Sequence, residues 1–161
     1  MVFQSRENTV GERLRFCFRL LLVVAILLLI YFFSAQPAED SSEISLGLLH
    51  KLFAFFRLEL PMAAEGLYHH LLRKTAHFVA YFSLGWSMTR VTRSRAFFPK
   101  FPTVTVLGAL FAALDEWHQS FVPGRGPGVG DVFLDTCGVA AGCIFTLLAA
   151  WLICRIRKNK A

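Results

Sequence analysis

The run Leu20-Leu-Leu-Val-Val-Ala-Ile-Leu-Leu-Leu-Ile-Tyr-Phe-Phe33 contains no charged residue, and three arginines precede it between residues 13 and 19. A helix that crosses a bilayer needs about 20 predominantly apolar residues, so we expect a transmembrane helix over residues 16–34. A secretory signal peptide also places a basic segment before an apolar one. The run continues as Ser34-Ala-Gln-Pro37 without an A-x-A cleavage site, which favours an uncleaved anchor.

The composition of the whole chain agrees with a membrane protein. Its 161 residues are 55% hydrophobic and 17% charged, with a mean hydropathy of +0.52, whereas soluble domains are about 45–50% apolar and about 25% charged. The net charge of +6 comes from basic residues that flank apolar segments, so we expect no nucleic-acid binding. The four cysteines lie in or beside apolar segments without C-x-x-C spacing, so we expect neither a disulfide framework nor a zinc site.

Three further apolar segments, at about 74–91, 103–121 and 131–154, predict three more transmembrane helices. Residues 44–60 mix Leu and Phe with charged residues, which favours an amphipathic helix in the membrane interface that ends at Pro61. A re-entrant hairpin is the alternative for this segment. The prediction is an all-α, polytopic membrane protein with a single domain over residues 1–161, four transmembrane helices and an interfacial helix between the first two.

Gly138 and Gly142 have the G-x-x-x-G spacing that lets two helices approach closely. We expect this packing to occur within the chain rather than in a dimer, and the oligomeric state stays open.

We expect the protein to lie in the plasma membrane. The distribution of Lys and Arg predicts that both termini are cytoplasmic, because basic residues concentrate in the cytoplasmic segments of membrane proteins. Three segments hold 12 of the 17 Lys and Arg residues: the N-terminal segment, the loop after the second predicted span, and the C-terminal tail. They are Arg6, Arg13, Arg15 and Arg19; Arg90, Arg93, Arg95 and Lys100; and Arg155, Arg157, Lys158 and Lys160.

Ionisable residues collect at the opposite, outer ends of the last three predicted spans. Charged groups in the hydrocarbon region are costly, so by default they indicate a functional site. Asp115, His118 and Gln119 share one helix face by their spacing, whereas Glu116 lies about 100° round the helix and is expected to point elsewhere. The candidate catalytic residues are His77, Asp115, Glu116 and His118, and the candidate substrate-binding residues are Lys74, Tyr81, Gln119, Arg125, Asp131 and Asp135.

The loop Phe121–Gly130 is rich in Pro and Gly and carries Arg125, which we expect over the mouth of an outward-facing pocket. The planar guanidinium fork suits a phosphate or a carboxylate. His77, His118 and Asp115 could supply two imidazoles and a carboxylate to zinc. No local metal-binding signature supports such a site, so we expect no metal and no other cofactor.

Several motifs resemble the VanZ-like family of bacterial membrane proteins. They are Asp115-Glu-x-His118-Gln-x-x-x-Pro-Gly-Arg125 followed by Asp131 and Gly138, the upstream Lys74-x-x-His77-x-x-x-Tyr81, and Ser34-x-Gln36-Pro37. Members of that family often carry Asn where Asp135 stands here. The resemblance implies a cell-envelope membrane protein, linked in some members to resistance to glycopeptide antibiotics such as teicoplanin, and it implies no established biochemical mechanism.

Three functions fit these residues. The first is binding of an anionic or lipid-linked envelope component at the outer face, with acid–base catalysis on lipid headgroups as its enzymatic form. The second is a proton-coupled transporter or flippase, although transport sites usually lie near the midplane of the membrane. The third is a non-enzymatic accessory that changes antibiotic susceptibility by binding a lipid or a partner protein.

Overall fold

The structure is a computed structural model that describes residues 2–92, 97–126 and 128–159. These residues form five α-helices and no strand, as expected for an all-α protein. Arg93, Arg95 and Lys160, which contribute to the predicted orientation, lie outside the described residues. The helices are α1 (Val2–Ser34), α2 (Ala38–Phe55), α3 (Glu65–Val91), α4 (Phe97–Gln119) and α5 (Val129–Lys158), with a short 3-10 helix (Met62–Ala64) before α3.

Two helices are long and apolar enough to cross a membrane, namely α1 over Val10–Ser34 and the whole of α5. Only 11% and 22% of their most apolar windows are buried, so both helices differ from the core helix of a soluble protein, which is mostly buried. Helices α3 and α4 do not meet the same criterion of length and composition, so the prediction of four transmembrane helices is not confirmed.

Helix α2 covers most of the segment predicted as an interfacial helix, but it ends at Phe55 and not at Pro61. The chain reverses there because Arg57 adopts a left-handed conformation with φ of 54°. The Leu58 N–H then donates to the Phe53 carbonyl and the Arg57 N–H to the Ala54 carbonyl. This is the Schellman pattern of helix ends, which glycine usually forms, so no glycine marks this boundary in the sequence.

Helices α3 and α4 begin well before their predicted spans. Helix α3 starts at Glu65, nine residues before the predicted span, and thereby gains the length that the apolar segment lacks. Helix α4 starts at Phe97 rather than at residue 103 and contains Pro102. Proline in a helix removes one backbone hydrogen bond, and its position near the start of α4 limits that loss to the first turns.

Helices α3 and α5 form the most extensive contact of the bundle. A Cβ atom added to Gly142 would lie 2.1 Å from the Phe82 carbonyl oxygen, and one added to Gly85 would lie 2.1 Å from the Val139 carbonyl oxygen. Only hydrogen fits at these two positions. The expectation that the G-x-x-x-G spacing packs helices within the chain is therefore confirmed.

The two ends of the bundle differ in charge. At one end, which we call the basic end, a cavity of about 1160 Å³ is lined by several cationic side chains from α1, α3 and α4. These side chains are Arg13, Arg15, Arg19, Arg90 and Lys100. The opposite end, which we call the polar end, is formed by the end of α1, the middle of α3, the end of α4 and the start of α5.

Candidate functional site

The polar end is organised around Asp115, whose side chain is only 9% exposed. Its Oδ2 atom accepts a hydrogen bond of 2.9 Å from the Ser34 hydroxyl and another of 2.9 Å from Gln119 Nε2. Gln119 Nε2 also lies 3.4 Å from Ser34 Oγ. The last residue of α1 is thus tied to the last turn of α4 by a buried, charge-assisted network, which is stronger than one between neutral groups.

Arg125 lies in the loop after α4 and connects it to the end of α1. Its guanidinium donates to Gln119 Oε1 at 3.1 Å, to the Phe33 carbonyl at 2.9 Å and, through Nε, to the Gln36 carbonyl at 3.1 Å. The carbonyls at a helix C-terminus lack partners within the helix, so this arginine satisfies them. The turn that positions it contains Gly124, whose φ of 74° is favourable for glycine.

Partial burial lowers the pKa of the Arg125 guanidinium from its ordinary value, and the nearby positive charge of Arg73 acts in the same direction. Asp115 and Glu116 oppose this shift. Because arginine titrates far above neutrality, the side chain keeps its charge.

A cavity of about 200 Å³ opens at the polar end between α3, α4, α5 and the loop that carries Arg125. Lys74 forms an ion pair with Asp131 at its wall. Glu116 accepts a hydrogen bond of 2.7 Å from the Gly128 N–H. Six of the ten predicted site residues line this cavity, whereas Tyr81, Asp115, His118 and Asp135 do not. The lining side chains are His70, Arg73, Lys74, His77, Glu116, Gln119, Arg125, Asp131 and Leu134.

Behind the cavity, His77 faces the buried carboxylate of Asp135, with Nδ1 3.6 Å from Oδ2. Asp135 and Tyr81 are both 1% exposed. The Tyr81 hydroxyl lies near enough to Asp115 for an electrostatic interaction, but it has no hydrogen-bond partner of regular geometry among the described residues. The Asp135 Oδ1 atom likewise has none.

The side chains of Asp115, Glu116 and His118 do not face the directions expected from the sequence. Glu116, expected to point elsewhere, lines the cavity, whereas His118 stacks on Tyr31 of α1 with ring centroids 4.8 Å apart. Asp115 points toward Ser34 and the interior of the bundle. The i,i+3 rule correctly groups residues on a face, but the sequence does not say which face meets the cavity.

Three residues of this end were not among the predicted site residues. Ser34 hydrogen bonds to Asp115, and His70 and Arg73 line the cavity. The Ser34-x-Gln36-Pro37 motif was a sequence signal for Ser34, whereas no motif marked His70 or Arg73. Which residues take part in catalysis or in substrate binding stays a prediction for every member of the site.

His77, Asp115 and Asp135 come from three different helices, and each offers one ligand atom within 4.8 Å of the others. This set differs from the one considered in the sequence, because Asp135 takes the place of His118.

Together, these features define a class: an all-α bundle with helices that can span a membrane, a basic end, and a polar site built at the opposite end. The family model of VanZ/LLP1 matches residues 18–152, which include every residue of that site. The chain therefore belongs to the VanZ/LLP1 family, and the resemblance seen in its motifs is confirmed. Comparison with curated proteins and with solved structures gives no match.

Proposed function

We propose that the protein is a cell-envelope membrane protein that crosses the membrane four times and binds an anionic, lipid-linked envelope component in the cavity at its polar end. The polar end faces outward in this proposal, and both termini lie in the cytoplasm. The basic end supports the orientation, because Lys and Arg concentrate on the cytoplasmic side of membrane proteins.

The outer surfaces of α3 and α4 support the two additional spans. On α4, Val106, Leu110 and Leu114 follow one another at four-residue intervals and are exposed. On α3, Leu71 and Val79 are exposed in the same way. Apolar stripes of this kind are costly in water and favourable against lipid chains. The hydrogen bonds from Ser34 and Arg125 tie α1 to the rest of the bundle, which supports a permanent anchor over a removable signal peptide.

The observation that carries the proposed ligand class is the pair of guanidinium groups at the cavity. Arg73 and Arg125 both line it and repel each other. Neither forms an ion pair with a carboxylate among the described residues, whereas Lys74 is already paired with Asp131. Arginine binds phosphate and carboxylate in a bidentate manner, so an anion between these two groups would relieve their repulsion.

The test uses the full chain in phosphatidylcholine nanodiscs, with a polyprenyl phosphate as the probe and the uncharged polyprenol of the same length for comparison. Native mass spectrometry measures how much of each lipid is bound. We expect the phosphate to bind more tightly than the alcohol and Arg73→Gln to lower its affinity about tenfold or more, because a hydrogen bond to a charged group contributes about 1.5–3 kcal/mol.

Lys51→Gln is the matched control, because it removes an exposed positive charge from α2 outside the cavity. Its binding should equal that of the wild type. Equal binding of the phosphate and the alcohol, or an unchanged affinity in Arg73→Gln, would contradict the proposal.

A link to teicoplanin resistance is tested separately. Expression of the wild type in a susceptible bacterial host should raise the concentration of teicoplanin that the host tolerates, and Asp115→Asn should not. If both proteins protect equally, the polar end is not the cause of protection.

A further inference from the structure

Two carboxylates are buried close together behind the cavity with little positive charge to balance them. Asp135 is 1% exposed and Asp115 is 9% exposed. Lys74 is bound to Asp131, and Arg125 donates to Gln119 and to two backbone carbonyls. The only ion pair formed by either buried carboxylate among the described residues is that of Asp135 with His77.

The Asp135 Oδ1 atom is fully buried and accepts no hydrogen bond from any described residue. An unpartnered buried carboxylate oxygen is strongly unfavourable unless an opposite charge compensates it. Asp135 belongs to a group with His77 and Asp115 in which one ligand atom of each residue lies within 4.8 Å of the others.

We infer that His77, Asp115 and Asp135 form a binding site for one divalent transition-metal ion, of which Zn²⁺ is the best match. Zinc binds His nitrogen at about 2.0–2.1 Å and carboxylate oxygen at about 2.0–2.2 Å. In tetrahedral coordination two ligand atoms of one zinc ion lie about 3.4 Å apart. The three ligand atoms lie within 4.8 Å of one another, so side-chain shifts of about 1 Å or less bring them to that spacing.

The surroundings fit such a site in two respects. Metal ligands are usually oriented by hydrogen bonds from a further layer of side chains, and both Ser34 and Gln119 hold Asp115 through Oδ2. Three protein ligands also leave a coordination position for water or another ligand. Because His77 lines the cavity, that position can be reached from it.

This inference does not depend on the proposed anion binding, since it rests on His77, Asp115 and Asp135 rather than on Arg73. Loss of anion binding in Arg73→Gln with metal binding intact would separate the two ideas.

The experiment uses the full-length protein in detergent, treated with a chelator and then dialysed. Zn²⁺ alone is titrated by isothermal titration calorimetry, and Mn²⁺ is titrated in parallel. We expect one saturable Zn²⁺ site per chain, with affinity reduced at least a hundredfold in both His77→Gln and Asp135→Asn. His50→Gln, which alters an exposed histidine paired with Glu65 on the protein surface, should bind like the wild type.

A second variant protects the test against misfolding, because it creates a new signal instead of removing one. Asp135→Cys should bind Cd²⁺ and produce a thiolate-to-cadmium charge-transfer band in the ultraviolet spectrum. The wild type, whose four cysteines are the background, supplies the reference spectrum. Absence of a saturable site in the wild type, equal affinity in wild type and Asp135→Asn, or a Cd²⁺ spectrum of Asp135→Cys identical to the reference would each overturn the inference.

Discussion

Replacement of Gly142 by alanine tests the packing that brings the polar end together. The added Cβ would lie 2.1 Å from the Phe82 carbonyl oxygen, whereas ordinary van der Waals contact begins at 3.4 Å. Helices α3 and α5 must therefore separate locally by about 1.3 Å, because a backbone oxygen cannot rotate away as a side chain can.

The expected energy follows from two opposing effects. Overpacking in a tight core costs about 1–3 kcal/mol, and a clash with the backbone lies at the upper end of that range. Alanine in place of glycine inside a helix stabilises the folded state by about 1 kcal/mol, because alanine has the higher helix propensity. We expect Gly142→Ala to lower the free energy of unfolding by about 2 kcal/mol, the difference between these effects.

Gly47→Ala is the matched control, because Gly47 lies inside α2 and a Cβ there meets nothing within 4 Å. The same substitution should raise stability by about 1 kcal/mol at this position. Both variants are unfolded by titrating sodium dodecyl sulfate into mixed micelles and following tryptophan fluorescence. If Gly142→Ala proves as stable as Gly47→Ala, the close approach of α3 and α5 is wrong.

Three other predictions use simpler variants. Ser34→Ala should destabilise the protein by about 1–3 kcal/mol in the same assay, because the buried carboxylate of Asp115 loses a donor; a loss too small to measure would contradict the network. Arg57→Gly should raise the free energy of unfolding by about 1 kcal/mol, because a residue with a side chain costs about 1–2 kcal/mol in the left-handed conformation. An equal increase in Arg57→Ala would contradict this explanation. In a variant without the four native cysteines, Gly126→Cys should react with a membrane-impermeant maleimide on intact cells, whereas Lys158→Cys should react only after the cells are permeabilised. The reverse labelling pattern would invert the proposed orientation.

The helices themselves could be predicted because apolar periodicity and length act locally along the chain. The charge-free run before Ser34 and the long apolar segment after Asp131 correspond to α1 and α5. The end of α2 could not be predicted, because it depends on Arg57 in a left-handed conformation that glycine usually adopts at helix ends.

The grouping of polar residues at one end was also predictable, since it requires only the order of the spans. The partners within the group were not. Ser34 and Asp115 are 81 residues apart, and nothing local to either indicates the other. Adjacent residues also differ in their contacts. Lys74 forms an ion pair with Asp131, whereas Arg73 forms no ion pair among the described residues. The relative rotation of α3 and α5 determines which of the two side chains reaches Asp131.

The contact between the backbones of α3 and α5 also bears on transport. Direct apposition at Gly85 and Gly142 leaves no width for a file of water molecules along this seam. The hydroxyls of Ser87 and Thr89 on α3 donate hydrogen bonds to carbonyls of their own helix, so they do not form a proton relay between the helices. Within one copy of the chain, a proton-coupled transport path would therefore have to run outside the seam between α3 and α5.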